Sequence, residues 1–375
     1  MPNINIYNKV YIFLPSQKSL KLQFHETIYS YKLSHKVSSS KILDNSRLYC
    51  SINFVLEEPF FSLVDYHNNC FASDDPDKII EFYNGFDNRE QLINWMRERP
   101  KGSSNIQEIE GENDIIIVIP TSDFKGKYAI NCRENIFKGL HIIFVESGGR
   151  EDFYFNMAHN CNVGIRKAME YNPKWVIVSN DDITSSFSSK DLIYELSKID
   201  AQSFNTVLSR ESIQSATKNS VCKFSILGKF VYSFLKSLRL TKIIDQRHEV
   251  FFNSIKFNRK LRNEYFLLGF RKSLFNLFIK RLYSFYNYEA FGIFSSEFIK
   301  NNPRFLDETY VNAHEDQDIS IVLSKEPFKI AWITNYKIEG IGGVSLGNNL
   351  QRGLRTIASD SYLNYKLQQG ILIDI

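Results

Sequence analysis

Three runs of aliphatic, mostly β-branched residues stand out near the middle of the chain: Asp114-Ile-Ile-Ile-Val-Ile-Pro-Thr121, His141-Ile-Ile-Phe-Val-Glu146 and Trp175-Val-Ile-Val-Ser179. They are apolar at consecutive rather than alternate positions, which predicts strands buried on both faces of a parallel sheet. Between the second and third, a helix-like stretch runs from Tyr154 to Tyr171, so the order is strand, helix, strand, as in a crossover unit. The pattern predicts a doubly wound, mostly parallel α/β sheet with helices on both faces, and such a sheet binds ligands beyond the carboxyl ends of its strands. All three runs end there in polar residues: Thr121-Ser122-Asp123, Glu146-Ser147-Gly148-Gly149 and Asn180-Asp181-Asp182.

The flanking sequence reads differently. Residues 1–80 alternate short apolar and polar runs (Val10 to Leu14, Leu20 to Phe24, Leu48 to Leu56), which predicts antiparallel strands of a small β-rich domain. Helical spacing follows from Asp75-Pro76 to Arg99 and stops at Pro100-Lys-Gly-Ser-Ser104, where we place a domain boundary. Residues 105–350 then form the main α/β domain, and 351–375 a tail that looks helical at its start. Within the main domain, 222–287 is a Lys-, Arg- and Phe-rich insert expected to be helical, and a strand is expected again over Phe328 to Ile333.

Composition narrows the class. With 375 residues, 43% hydrophobic and 23% charged, the chain buries a sizeable core and is long enough for more than one domain. Cys50, Cys70, Cys132, Cys161 and Cys222 are scattered without CxxC spacing, so neither a zinc site nor a disulfide framework is expected. A reducing, cytoplasmic setting fits them. No apolar run reaches transmembrane length. Net charge is near balance, but the insert holds fourteen Lys and Arg against Asp245, Glu249 and Glu264. Basic stretches with interleaved apolar residues lie on anionic membranes, so peripheral contact with the inner face through 222–287 is one expectation, and a solvated helical subdomain is the other.

Adjacent carboxylates delivered by a buried strand to the sheet's ligand-binding edge suit Mg²⁺ or Mn²⁺, which bind through one or two carboxylates plus substrate phosphates. The alternative for Asn180 to Asp182 is a strand end closed by an Asx turn. The series Asp114 to Thr121, Glu146-Ser-Gly-Gly149, Asn160-Cys-Asn-Val-Gly164 and Asn180-Asp-Asp182 resembles the family 2 glycosyltransferases and their rhamnosyltransferase-like relatives. A second series continues the resemblance: Tyr288-Glu-Ala-Phe-Gly-Ile-Phe294, Phe305-Leu-Asp-Glu308 and His314-Glu-Asp-Gln-Asp318. It covers roughly residues 112–345, interrupted by the insert.

The resemblance implies a GT-A-type fold and a sugar transfer from a nucleotide diphosphate donor, with inversion, to a glycan or lipid-linked hydroxyl acceptor. It implies donor contacts from Pro120, Thr121, Glu146, Asn162, Gly164, Asn180 and Asp181. It also implies a divalent metal held by Asp182 with Asn180, and acceptor contacts from Phe291, Gly292, Asp307 and Glu308. Asp316 is implied as the base that takes the acceptor's proton, with Glu315 as its rival. On its own, acid at 315–318 reads as a helix start favoured by the dipole. Glu146 stands where the family more often has Asp, and the family's late histidine is missing from Glu339-Gly-Ile-Gly-Gly-Val-Ser345, so Glu339 or water completes the metal's ligands.

Other enzyme classes lack their marks. No Gly-x-Gly-x-x-Gly follows the first strand, no P-loop is present, and there is no Gly-x-Ser-x-Gly elbow. Nucleic-acid binding has charge in its favour but no recognised motif. The competing reading is a non-catalytic polybasic membrane- or nucleic-acid-binding protein on a degenerate transferase fold.

Overall fold

The computed structural model describes residues 75–148, 154–210, 217–227, 230, 234, 264–269, 279–311, 313–341 and 350–373, with three short strands near the N-terminus. The chain divides into two compact units, residues 1–57 and 58–375. In the first, β1 (Ile12–Phe13), β2 (Ser19–Phe24) and β3 (Thr27–Lys32) form an antiparallel sheet in that order. The strand expected at Leu48 to Leu56 lies outside the described residues.

The second unit contains strands β4 (Asn105–Ile109), β5 (Glu112–Thr121), β6 (Leu140–Glu146), β7 (Trp175–Ser179), β8 (Ile183–Thr184) and β9 (Thr206–Ser209). These are followed by β10 (Thr217–Phe224), β11 (Tyr265–Gly269), β12 (Ile279–Asn287), β13 (Phe291–Ser295), β14 (Ile330–Ile333) and β15 (Glu339–Gly340). Among the described residues its α-helices are α1 (Pro76–Asn84), α2 (Arg89–Glu98), α3 (Lys127–Asn131), α4 (Met157–Met169) and α5 (Ser189–Ser197). Four more close the chain: α6 (Ser296–Asn301), α7 (Glu315–Leu323), α8 (Leu350–Arg355) and α9 (Ile357–Gln368).

Seven strands form the central sheet in the order β14-β9-β13-β7-β5-β6-β4. It is mostly parallel in direction: β5 runs parallel to β6 and β7, β14 runs parallel to β9, and β13 and the edge strand β4 run against their neighbours. All three apolar runs are strands of this sheet. Along β5, Ile115, Ile117 and Ile119 pack on one face with Phe137, Leu192 and Leu196, while Ile116 and Val118 pack on the other with Ile165, Phe298 and Ile319. Burial on both faces is the physical reason for the unbroken apolar run, and each fully buried Ile contributes about 1.5–3 kcal/mol.

A third core lies apart from these two. It joins α1 and α2 (Ile79, Phe82, Tyr83, Leu92, Met96) to α8 and α9 (Leu354, Ile357, Tyr362, Leu367), with Val221, Phe285 and Ile321 beside them. The boundary expected near residue 104 is therefore displaced, because the helices on its N-terminal side share a core with the C-terminal ones. The C-terminal stretch is a structural part of this unit for the same reason. Helix α7 sits between cores, with Ile319 and Leu323 toward the sheet and Ile321 toward the helices, which buries Asp318 and half-buries Glu315 and Asp316 of its acidic first turn.

The basic insert departs most from expectation. Its described flanks are strands, not helices: β10 pairs with both β11 and β12 in a three-stranded antiparallel sheet. Cross-strand pairing of Tyr265–Gly269 and Ile279–Asn287 with a common partner overrides the local helical spacing. Among the described residues, Ile226, Leu227, Phe230 and Phe234 are the helical positions there. Before β14, Pro327–Lys329 form a single 3₁₀ turn that leaves Phe328 exposed, so the expected strand starts two residues late.

Candidate active site

The carboxyl ends of β5, β6 and β7 lie side by side. Thr121 is in register with Glu146, and the Ser147 N–H donates to the Thr121 carbonyl at 3.0 Å. The Thr121 hydroxyl donates to Asp181 Oδ2 at 2.7 Å, tying the Pro120-Thr121 strand end to the Asn180-Asp181-Asp182 turn. Burial pushes the Asp181 carboxyl up and the neighbouring Asp182 charge adds to it, against the lowering effect of Thr121. Glu146 accepts from the Phe124 N–H at 2.9 Å and so closes the loop that leaves β5. Asp182 is buried, and its carbonyl accepts from the Ile341 N–H at 2.8 Å. Immediately after it, β8 pairs with β15 and sets Thr184 opposite Glu339, whose carboxylate is ion-paired with Lys337. Gly343-Val-Ser345 lies outside the described residues.

The second acidic motif reaches the same region through one turn. The Asn180 N–H donates to the Ala290 carbonyl at 2.9 Å, and Asn287 Nδ2 donates to Asp316 Oδ2 at 2.9 Å, while the Ser320 hydroxyl holds Asn287 Oδ1 at 3.1 Å. Residues 287–290 thus touch both motifs, which are far apart in sequence. Glu289 in that turn and His314 at the head of α7 have φ of 39° and 75°. Non-glycine residues hold such angles only when their surroundings enforce them, and they cluster at functional sites.

At the head of α7, burial and the Asp316 charge raise the Glu315 carboxyl to about 7, and Glu315 Oε2 is sealed from solvent with no hydrogen-bond partner. Asp316 is also raised by burial, less so because Asn287 and the His314 charge favour its ionised form. Burial pulls the His314 imidazole down, but Asp360, at 2.5 Å from Nε2, outweighs it and lifts His314 to about 9. The arrangement is a carboxyl pair in which one member keeps a proton near neutrality and the other ionises first, the division of labour that separates an acid from a base.

Other expected residues have internal partners. Asn162 donates to the Leu306 carbonyl and to Glu308 Oε1 and accepts from the Leu306 N–H, so it anchors the 305–308 loop to α4. Burial pushes the Glu308 carboxyl up, and its bonds to Asn162 and to His159 Nδ1 (2.8 Å) bring it below the usual range. At Gly164 a Cβ would lie 2.4 Å from Val118 Cγ1, so glycine here permits α4 to rest on β5. Asp307 accepts from Tyr362 and pairs with Lys366, which also pairs with Asp318 at 2.5 Å. Phe291 and Gly292 begin β13 against Ser179 and Val178, with Phe291 stacked on Phe137. Asn287, Asp360 and the Thr121–Asp181 bond escape sequence reading, since their partners sit on distant elements.

A divalent ion fits this site only in part. Among the described residues no three His, Cys, Asp or Glu side chains converge as a metal group. Asp181 is bonded to Thr121 and Glu339 to Lys337, so a cation here depends on oxygens from a bound diphosphate. Comparisons with protein-family models, curated proteins and solved structures gave no match.

Proposed function

We propose that the chain is a nucleotide-sugar-dependent glycosyltransferase of GT-A type, acting on a hydroxyl acceptor. The observation that carries this reading is the turn 287–290, which is bonded to Asn180 at the sheet edge and to Asp316 at the head of α7. A transferase needs a donor diphosphate at the first and a base at the second. The acceptor hydroxyl oxygen attacks the anomeric carbon as its proton passes to Asp316. The bond from that carbon to the diphosphate oxygen breaks, and the nucleoside diphosphate leaves with the electron pair. Glu315, protonated near neutrality, keeps a second negative charge away from Asp316. When bound, a divalent ion supplies positive charge for the departing diphosphate, with Asp182 and Asn180 as its protein side.

Thermal shift with a panel of nucleoside diphosphates and nucleotide sugars, with and without Mn²⁺ or Mg²⁺, tests the reading on the native chain and on Asp182→Ala. A ligand at a hundredfold its Kd adds about 2.7 kcal/mol to stability. One nucleotide that stabilises the native chain only with metal, and not the variant, supports the transferase. A native chain that ignores every nucleotide leaves the non-catalytic binding protein as the better reading.

A further inference from the structure

We infer that Ile226, Leu227, Phe230 and Phe234 form a face that docks on an anionic lipid surface. They are 80%, 61%, 72% and 62% exposed, and all four have helical backbone. Spacing of i, i+1, i+4 and i+8 is that of one side of a helix, and each of these four positions has the matching backbone. Among the described residues, large hydrophobics with such exposure are scattered singly elsewhere, apart from the pair Ile193 and Tyr194, and only here do four fall within nine residues. Contiguous exposed apolar surface marks an interaction site. The face also has a firm base: Val221 and Cys222 of β10 are fully buried, and Ile226 follows four residues later.

Charge identifies the occupant. From residue 222 to 244 the sequence has Lys223, Lys229, Lys236, Arg239 and Lys242 and no acid. Residues 222–287 hold 14 of the chain's 46 Lys and Arg and 3 of its 42 Asp and Glu, which leaves 32 basic against 39 acidic residues in the remainder. The basic excess therefore lies in the same stretch of sequence as the four exposed residues, and an anionic surface attracts that stretch. A second copy would bring two strongly basic segments together. A nucleic acid would satisfy the charge but leave Ile226 and Leu227 in water. Among the described residues no helix is long and apolar enough to cross a membrane, so the contact lies along the surface.

The test is co-sedimentation of the full chain with phosphatidylcholine vesicles and with vesicles that also contain phosphatidylglycerol. Binding is expected to be at least about tenfold stronger to the anionic vesicles and to fall steeply with added salt. Phe230→Trp should move its emission to the blue on binding, and combined Ile226→Ser, Phe230→Ser and Phe234→Ser should lose binding with an unchanged melting temperature. The proposal is overturned if anionic vesicles are not bound, or if the serine variant binds as the native chain does. It is equally overturned if the serines only convert a dimer to a monomer, or if an oligonucleotide is bound and vesicles are not. Vesicle binding requires no sugar donor, so none of these results bears on the transferase reading.

Discussion

At Glu315 a single carboxyl links sequence, packing and pH. Its folded value of about 7 exceeds the ordinary 4.5, so the native state holds a proton that the unfolded chain releases between those values. Stability therefore falls as pH rises from 4.5 to 7, and the cost persists above. Glu315→Gln should raise stability at pH 8 by on the order of 2 kcal/mol and change little at pH 4, read by denaturant unfolding at both values. Gly164 carries a different constraint. A Cβ there would also lie 2.8 Å from Val145 Cγ2, and valines offer no flexible end to yield. Gly164→Ala should cost about 1–3 kcal/mol, with part recovered when Val118→Ala is added, as read from melting curves.

Two elements decide the shape of the site. Helix α7 carries the acidic turn, and α9 fixes α7 through Lys366, which bridges Asp318 and Asp307 while Tyr310 and Tyr362 donate to the same two carboxylates. Burial pulls the Lys366 ammonium down, and the two aspartates more than restore it. Lys366→Met leaves the buried Asp318 and the half-buried Asp307 without a counter-charge and should cost about 3 kcal/mol. Equilibrium unfolding measures that cost, and a loss below about 1 kcal/mol would show that water replaces the lysine. The basic segment teaches the converse: β11 and β12 are strands with β10 between them, although the segment's mix of basic and apolar residues predicts helices.

For the whole second unit, the sheet brings its strand ends together and the helical core determines what faces them. Strands β5, β6 and β7 end together, and the turn after β7 receives the start of β13, whose preceding turn holds Asp316. Along the sequence, the excess of basic residues is confined to one segment, 222–287. Nucleotide binding at the strand ends and vesicle binding at the exposed face are therefore separable measurements on one chain.

The sequence by itself determined the central strands β5, β6 and β7, because burial on both faces demands unbroken apolar runs, and it determined α1, whose Asp75 cap and Pro76 are local signals. It also marked Asn180 to Asp182 and Glu315 to Asp318 as acidic ends of buried elements. Only the tertiary structure decided that one turn touches both motifs, and that Asn162 and Gly164 serve the packing of α4. It likewise decided that the boundary falls before the helices rather than after them. Those outcomes depend on hydrogen bonds and contacts between residues up to hundreds of positions apart, such as the Tyr83 hydroxyl and the Arg355 carbonyl. Local periodicity carries no record of such pairs.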